Sequence, residues 1–362
     1  MGDAQAKLQR VRSLLAERKL DAVLISRLSN FAWLTDGAAC YVNTASDTGV
    51  ASLLVTDQAV YLLTNTIEAS RLQAEEPLAD LAPELRVAPW YEAHPALGEL
   101  TRGRKLGADM PMAGAVDLGQ EFVALRARLT PAEQHRFAEL GRLCAQSMDA
   151  AIRQVRPGMT EFQKAGLLSS QVFARGAVPI VLLVATDERI FKVRHPIPTA
   201  RAMEHYAMLV LCGRQHGLVA SITRLVHLGP LSDELRRKQL ACARVDATLI
   251  SHTRPGARVA DVFQAAVDAY AAEGFPGEWQ HHHQGGPASY DARDWLATPT
   301  SPQRVEQGQA FAWNPSIAGV KSEDTILVGA DRNQVLTTVE GWPTVSVSLD
   351  GQTWQRPAIL EM

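Results

Sequence analysis

Two segments of this chain open alike and stop alike. RPGMTEFQKAGLLSSQVFARG (156–176) and RPGARVADVFQAAVDAYAAEG (254–274) each begin Arg-Pro-Gly and reach a glycine 20 residues after the arginine. Between these marks apolar residues recur at helical spacing, so each copy reads as a turn, a helix and a stop. A duplicated unit of this kind constrains the fold to two related α+β halves facing each other. Such halves enclose a site between their sheets, where ligand pockets tend to sit.

The repeat occupies only the later part of a 362-residue chain, and that length favours two domains. Upstream, Leu8, Val11, Leu14 and Leu15 repeat at helical spacing, DAVLIS (21–26) reads as a buried strand, and ASLLVT (51–56) and AVYLLT (59–64) flank Asp57-Gln58 as a hairpin. RKLGAD (104–109) reads as one more strand. This is an α/β module, and a boundary near residue 128 divides it (1–128) from the remainder (129–362). In LTPAEQHRFAEL, Thr130 can cap a helix, Pro131 fits its first turn and Glu133 completes a capping box, so a long helix is expected over about 131–155.

Charge and composition narrow the class. A net charge of −3 without a long basic run points away from a nucleic-acid or anionic-membrane partner. No apolar run is long enough to span a membrane, and the N-terminal helix lacks a signal-peptide core. Ala6 stands where a myristoylation signal wants Ser or Thr. Cys40, Cys144, Cys212 and Cys242 share no tight spacing and read as structural thiols of a reducing compartment. A cytoplasmic protein is the expectation.

WQHHHQGGPASYDARDW (279–295) sets three histidines side by side. On a strand successive side chains alternate faces, so only His281 and His283 would share a side. His281 and His282 are read as structural. Gly285 and Gly286 read as positions of close backbone packing or positive φ. The chain contains no His-Glu-x-x-His.

RPGMTE, RHPIPT, GLVASITRLVHLG, HHQGG and GVKSEDTILV stand in the order and approximate spacing found in the creatinase, prolidase and aminopeptidase P family, which this chain resembles over roughly 1–335. The resemblance implies an α/β N-terminal domain and an α+β C-terminal domain of the pita-bread fold with a pseudo-twofold repeat. It also implies a homodimer and hydrolysis of a C–N bond. SNFAWLTDG (29–37) resembles the family's N-terminal segment that reaches toward the active site, although Phe31 and Trp33 suit a core.

The family's metallopeptidases hold two divalent ions with two Asp, one His and two Glu. By the resemblance the second Asp falls on Ser221, and the first on Val210, or on Leu211 if Gly213 sets the register. The His falls on His283, the first Glu on Asn314 and the last Glu on Glu323. Hard cations need several anionic oxygens, and paired ions need bridging carboxylates. With three carboxylates replaced, the expectation is that no cofactor is used; one softer ion on Cys212, His283 and Glu323 is the residual metal arrangement.

Creatinase shares the fold and works through a histidine that shuttles protons, which corresponds to His195. A neutral imidazole can take a proton from water and return it to a leaving nitrogen. Glu323, or its neighbour Asp324, is then placed to orient that imidazole or bind a cationic group, and His283 to touch substrate. Arg293, ten residues past His283, resembles the arginine that holds a substrate carboxylate. Asn314 suits an amide or urea-like group. Tyr290 stands where the peptidases carry a second histidine. Ser221 and Arg224 complete the polar groups expected at the substrate, with Arg224 placed to pair with Glu323. The leading expectation is a metal-independent, creatinase-like hydrolase of a small amide, ureido or peptide-like carboxylate. The alternatives are an Xaa-Pro aminopeptidase or prolidase with an atypical metal site, and a pita-bread protein that only binds a peptide or protein.

Overall fold

The structure, a computed structural model, describes residues 2–349 and 351–362. It divides into two compact units, residues 1–132 with 216–218, and residues 133–215 with 219–362.

In the first unit a six-stranded sheet runs in the order Glu84–Ala88, Val60–Asn65, Thr48–Thr56, Ala22–Arg27, Leu106–Ala108, Val116–Asp117. The hairpin forms where the two β-rich runs suggested it, with Val55 opposite Val60. Thr56 closes its turn, its hydroxyl accepting from the Ala59 amide at 2.9 Å. The helix Asp3–Arg18 buries Leu8, Val11, Leu14 and Leu15, the residues of the 3.6-period stripe. Phe31 and Trp33 are buried in this unit's core.

The second unit carries the repeat in its hydrogen bonds as well as in its sequence. The Gly158 amide donates to the Met203 carbonyl and the Gly256 amide to the Val305 carbonyl, each at 2.8 Å. Met203 N–H returns to Met159, and Val305 N–H returns to Ala257. The bridges Thr160–Ala202 and Arg258–Arg304 extend both ladders. The helices Glu161–Phe173 and Val259–Ala272 follow, and each ends at a glycine of positive φ, Gly176 or Gly274. In both copies the next residue's amide reaches back over the turn, Ala177 to Val172 and Phe275 to Tyr270, which ties off the helix end. Thr160 and Gln163 form a reciprocal capping box on the first helix.

Each copy leads into a four-stranded sheet. One runs Leu360–Glu361, Leu218–His227, Tyr206–Gln215, Val178–Thr186; the other runs Gly285–Pro287, Ala310–Trp313, Asp324–Leu327, Gln334–Val335. The sheets adjoin through the bridge Thr223–Glu323, and the Ser221 amide donates to Thr325 Oγ1 at 2.8 Å. Met208 and Val210 of the first sheet share one apolar cluster with Phe311, Trp313 and Ile326 of the second. Burial of side chains of this size is worth roughly 1.5–3 kcal/mol each, enough to hold the junction of the sheets in place. The helix Pro131–Ile152 stops three residues short of its expected end. Among the described residues no helix is long and apolar enough to cross a membrane.

Candidate active site

The His195 loop follows the short helix Glu188–Lys192. Its backbone is pinned to the strand beside it, because the Val184 amide donates to the Pro196 carbonyl at 3.0 Å. The buried Glu161 carboxylate fixes the far side of the loop, accepting from the Thr199 amide and the Thr186 amide, both at 2.9 Å. Arg194 ties the loop to the histidine run, pairing with Glu278 at 2.6 Å and donating to Ser316 Oγ at 3.2 Å.

That run is not a strand. Glu278–His281 is a turn of 3-10 helix, His282 is extended, and the strand starts only at Gly285. Gln284 sets the backbone there, donating to the His282 carbonyl at 2.6 Å and accepting from the Tyr270 hydroxyl at 2.9 Å. The alternation that paired His281 with His283 therefore does not apply. His282 and His283 stack at 4.4 Å, and the His195 ring lies 4.8 Å from His282 and 5.6 Å from His283. The Nε2 atoms of His195 and His282 are 3.0 Å apart. Three imidazoles meet, with His195 the most exposed of them.

Gly285 allows this turn into the sheet. Its φ is +104°, and a Cβ there would lie 2.1 Å from the Ala312 carbonyl oxygen. At Gly286 a Cβ would lie 2.3 Å from the Trp295 carbonyl oxygen, so the sequence reading of close packing holds at both.

Glu323 is buried beside this group with its two oxygens divided between two cations. Arg293 donates to Oε1 at 2.9 Å, Lys321 to Oε2 at 2.8 Å, and the Thr223 hydroxyl adds a further bond. Burial alone would raise the Glu323 pKa, but Lys321 and Arg293 outweigh it and hold the carboxyl well below its usual range. Desolvation, reinforced by Lys321, lowers His282 to about 2, and desolvation with Arg293 and Lys321 lowers His283 to about 4. His195 is lowered by the same burial and by Lys321, against the pull of Glu323. All three imidazoles are neutral at physiological pH.

The other sequence-derived positions fall around this centre. Arg293 Nη1 donates to Ser221 Oγ at 3.0 Å, and the Cys212 thiol lies 3.2 Å from the same hydroxyl. Asn314 is buried, and its side-chain Oδ1 has no partner. The Tyr290 hydroxyl is given to Glu133 at 2.7 Å. Arg224 does not pair with Glu323, as its position in the chain suggested. Adjacent strand residues face opposite ways, and Arg224 follows Asp324, pairing at 2.8 Å in a buried network with Arg356 and Asp246. Cys212, His283 and Glu323 do not form the ion site considered for them. Burial, then the negative Glu323, raise the Cys212 thiol pKa, and the imidazole cluster draws in His195 and His282 instead.

Lys321 was absent from the sequence reading. Its signal was present: it stands two residues before Glu323 in an extended segment, hence on the same side. His282, read as structural from the sequence, is one of the three imidazoles that meet.

A model of metallopeptidase family M24 matches residues 135–330, and one of the creatinase/prolidase N-terminal domain matches residues 7–140. The chain belongs to metallopeptidase family M24. It is thus a hydrolase by family, with the creatinase-type N-terminal domain and the pita-bread catalytic domain. No curated protein sequence matches it significantly. Among solved structures it is similar to the prolidase of Pyrococcus horikoshii (TM-score 0.80, 17% identity, covering 92% of this chain and 99% of that one). It is similar also to the Xaa-Pro dipeptidase of Bacillus anthracis (0.77, 17%, 99% and 100%). A third likeness is the N-terminal domain of FACT complex subunit SPT16 from chickpea (0.73, 12%, 94% and 97%).

Membership of a metallopeptidase family overturns the expectation that no cofactor is used. The M24 pair of ions, however, does not fit the five positions set out for it. Ser221 and Asn314 bring no charge, Val210 is an apolar core residue, and both oxygens of Glu323 are taken by Arg293 and Lys321.

Proposed function

We propose that the protein hydrolyses a C–N bond in a small peptide-like substrate bearing a free carboxylate, in the manner of a prolidase or Xaa-Pro peptidase with an atypical metal site. The observation that carries this reading is the meeting of three neutral imidazoles beside Glu323, Arg293 and Lys321 in the family's catalytic domain. The charged groups sum to one excess positive charge in a poorly hydrated place, which favours an anionic ligand. Arg293, partly open at 10% side-chain exposure, meets the substrate carboxylate, held at the right angle by Ser221. Asn314, with an unpartnered amide oxygen, accepts an N–H of the scissile unit. His195, the imidazole nearest solvent, stands at the place of the hydrolytic water, with His283 and His282 behind it. Glu323 holds Arg293 and Lys321 in place and sets the field at the imidazoles. Tyr290 and Arg224 support the walls through Glu133 and Asp324.

The test is a panel of Xaa-Pro dipeptides and N-acyl amino acids set against the same compounds with the carboxylate amidated. Cleavage restricted to the free acids, with kcat falling about 100-fold or more in His195→Ala and the fold retained, is the expected result. Equal cleavage of the amidated compounds, or full activity of His195→Ala, refutes it.

A further inference from the structure

We propose that His195, His282 and His283 together hold one divalent transition-metal ion, zinc or a metal of like preference, with a ligand set that shares only His283 with the carboxylate-bridged pair of the family. The inference rests on the reading that this cluster is the hydrolytic centre, and it assigns the imidazoles their task there: to hold an ion.

Geometry supplies the first argument. One ligand atom from each histidine lies within 4.8 Å of the other two, and His195 Nε2 and His282 Nε2 are 3.0 Å apart. Zinc binds imidazole nitrogen at about 2.0–2.1 Å in tetrahedral sites, which sets ligand nitrogens about 3.3 Å from one another. The observed spacing brackets that value. His282 Nδ1 and His283 Nδ1 are both buried without any hydrogen-bond partner, and His282 is only 8% exposed. His283 thus keeps one unengaged ring nitrogen for an ion, whereas the Nδ1 of His282 is not the nitrogen that faces His195.

The donor set chooses the metal. Three neutral nitrogens and no carboxylate suit zinc, copper or nickel and give little to magnesium, calcium or manganese. Three protein ligands leave a fourth position open, and the exposed member of the trio, His195, puts that opening on the solvent side. Lys321 and Arg293 act against a cation here while Glu323 acts for it, so an anionic substrate entering the pocket tightens the ion, and the ion tightens the substrate by the same factor.

The experiment uses the tag-free full chain, stripped with chelator and titrated with Co(II) and then Zn(II). One equivalent of Co(II) with the visible bands of a four-coordinate nitrogen site is expected, displaced by Zn(II). Affinity falls about tenfold or more in each of His195→Ala, His282→Gln and His283→Gln and stays within a few-fold in Glu323→Gln. Circular dichroism confirms that each variant is folded; a variant that does not fold is replaced by the corresponding Asn substitution. Two equivalents lost in Glu323→Gln but kept in His282→Gln would mean the family's paired site and overturn the proposal, as would no binding of either metal. One bound ion without C–N hydrolysis leaves the proposal standing and removes the hydrolytic reading. Hydrolysis that survives in protein shown to bind no ion does the reverse.

Discussion

Arg356 offers the sharpest test of how charge is carried beneath this site. The residue is 3% exposed, and its guanidinium donates to Asp246 Oδ2 at 2.7 Å and to Asp324 Oδ2 at 2.6 Å. Arg224 and the Thr337 hydroxyl also reach Asp324, at 2.8 and 2.7 Å, whereas Asp246 has Ser322 as its other donor. Arg356→Met keeps most of the volume and removes the charge. Asp324 then still has a cation, and the burden falls on Asp246, whose pKa burial already pushes up against the pull of Arg356. Stripping one partner from a buried ion pair costs about 3–5 kcal/mol. Because only one of the two carboxylates is orphaned, about 3–4 kcal/mol is expected, or a fall in Tm of roughly 6–16 °C for a unit of this size. Urea unfolding and calorimetry of the full chain measure it. Adding Asp246→Asn to Arg356→Met removes the stranded charge and should restore at least half of the loss. A single variant within about 1 kcal/mol of wild type, or a double variant no better than the single, means that water reaches the network and the argument from desolvation fails.

Acid should weaken the chelator-treated protein in two stages. His282 and His283 are held at about 2 and about 4, below their ordinary 6.5, so the unfolded chain binds more protons and stability falls as pH drops from about 6.5 toward 4. Glu323, depressed below its ordinary 4.5, adds a further loss below that pH; a Tm that stays flat between pH 7 and 4.5 contradicts the assignment. Gly285→Ala forces a Cβ to within 2.1 Å of a carbonyl at positive φ, and a loss of about 2 kcal/mol or more is expected in urea titration. Lys321→Met should raise KM for a carboxylate substrate about tenfold while changing kcat less; the opposite split would place Lys321 in the chemistry and not in binding.

The repeat was legible because it is written in local terms. Arg-Pro-Gly, a 3.6-period stripe and a terminal glycine all act within one turn or helix, and the structure realises each in both copies. The hairpin at 57–59 and the strand at Leu106–Ala108 were legible for the same reason. The site was legible only as far as spacing along a strand could carry it. Glu323 and Asp324 do face opposite ways, and it is Asp324, not Glu323, that takes Arg224. The histidine run failed that logic because a 3-10 turn, braced by Gln284 and Arg194, replaces the strand. These braces come from Tyr270 and Glu278 and from a loop some 80 residues away, contacts that no local pattern encodes.

The exchange of charges around Glu323 explains how one fold can keep its pocket and change what the pocket holds. A carboxylate that shares two cations is satisfied whether they are metal ions or the ends of Arg293 and Lys321, since the Coulomb gain at about 3 Å is several kcal/mol either way at protein-interior screening. Side-chain cations cannot leave, so the oxygens they occupy are closed to an incoming ion. Ser221 and Asn314, both uncharged, add no negative charge that would draw an ion to those oxygens. An ion admitted to such a pocket must bind groups that need no negative charge, and the neutral imidazoles of His195, His282 and His283 are the groups of that kind within reach of one another. Lys321→Met should therefore do more than loosen substrate: by removing a positive charge it should strengthen Co(II) binding at the histidines. A Lys321→Met variant that binds cobalt more weakly than wild type would show that the two sets of groups do not share a field.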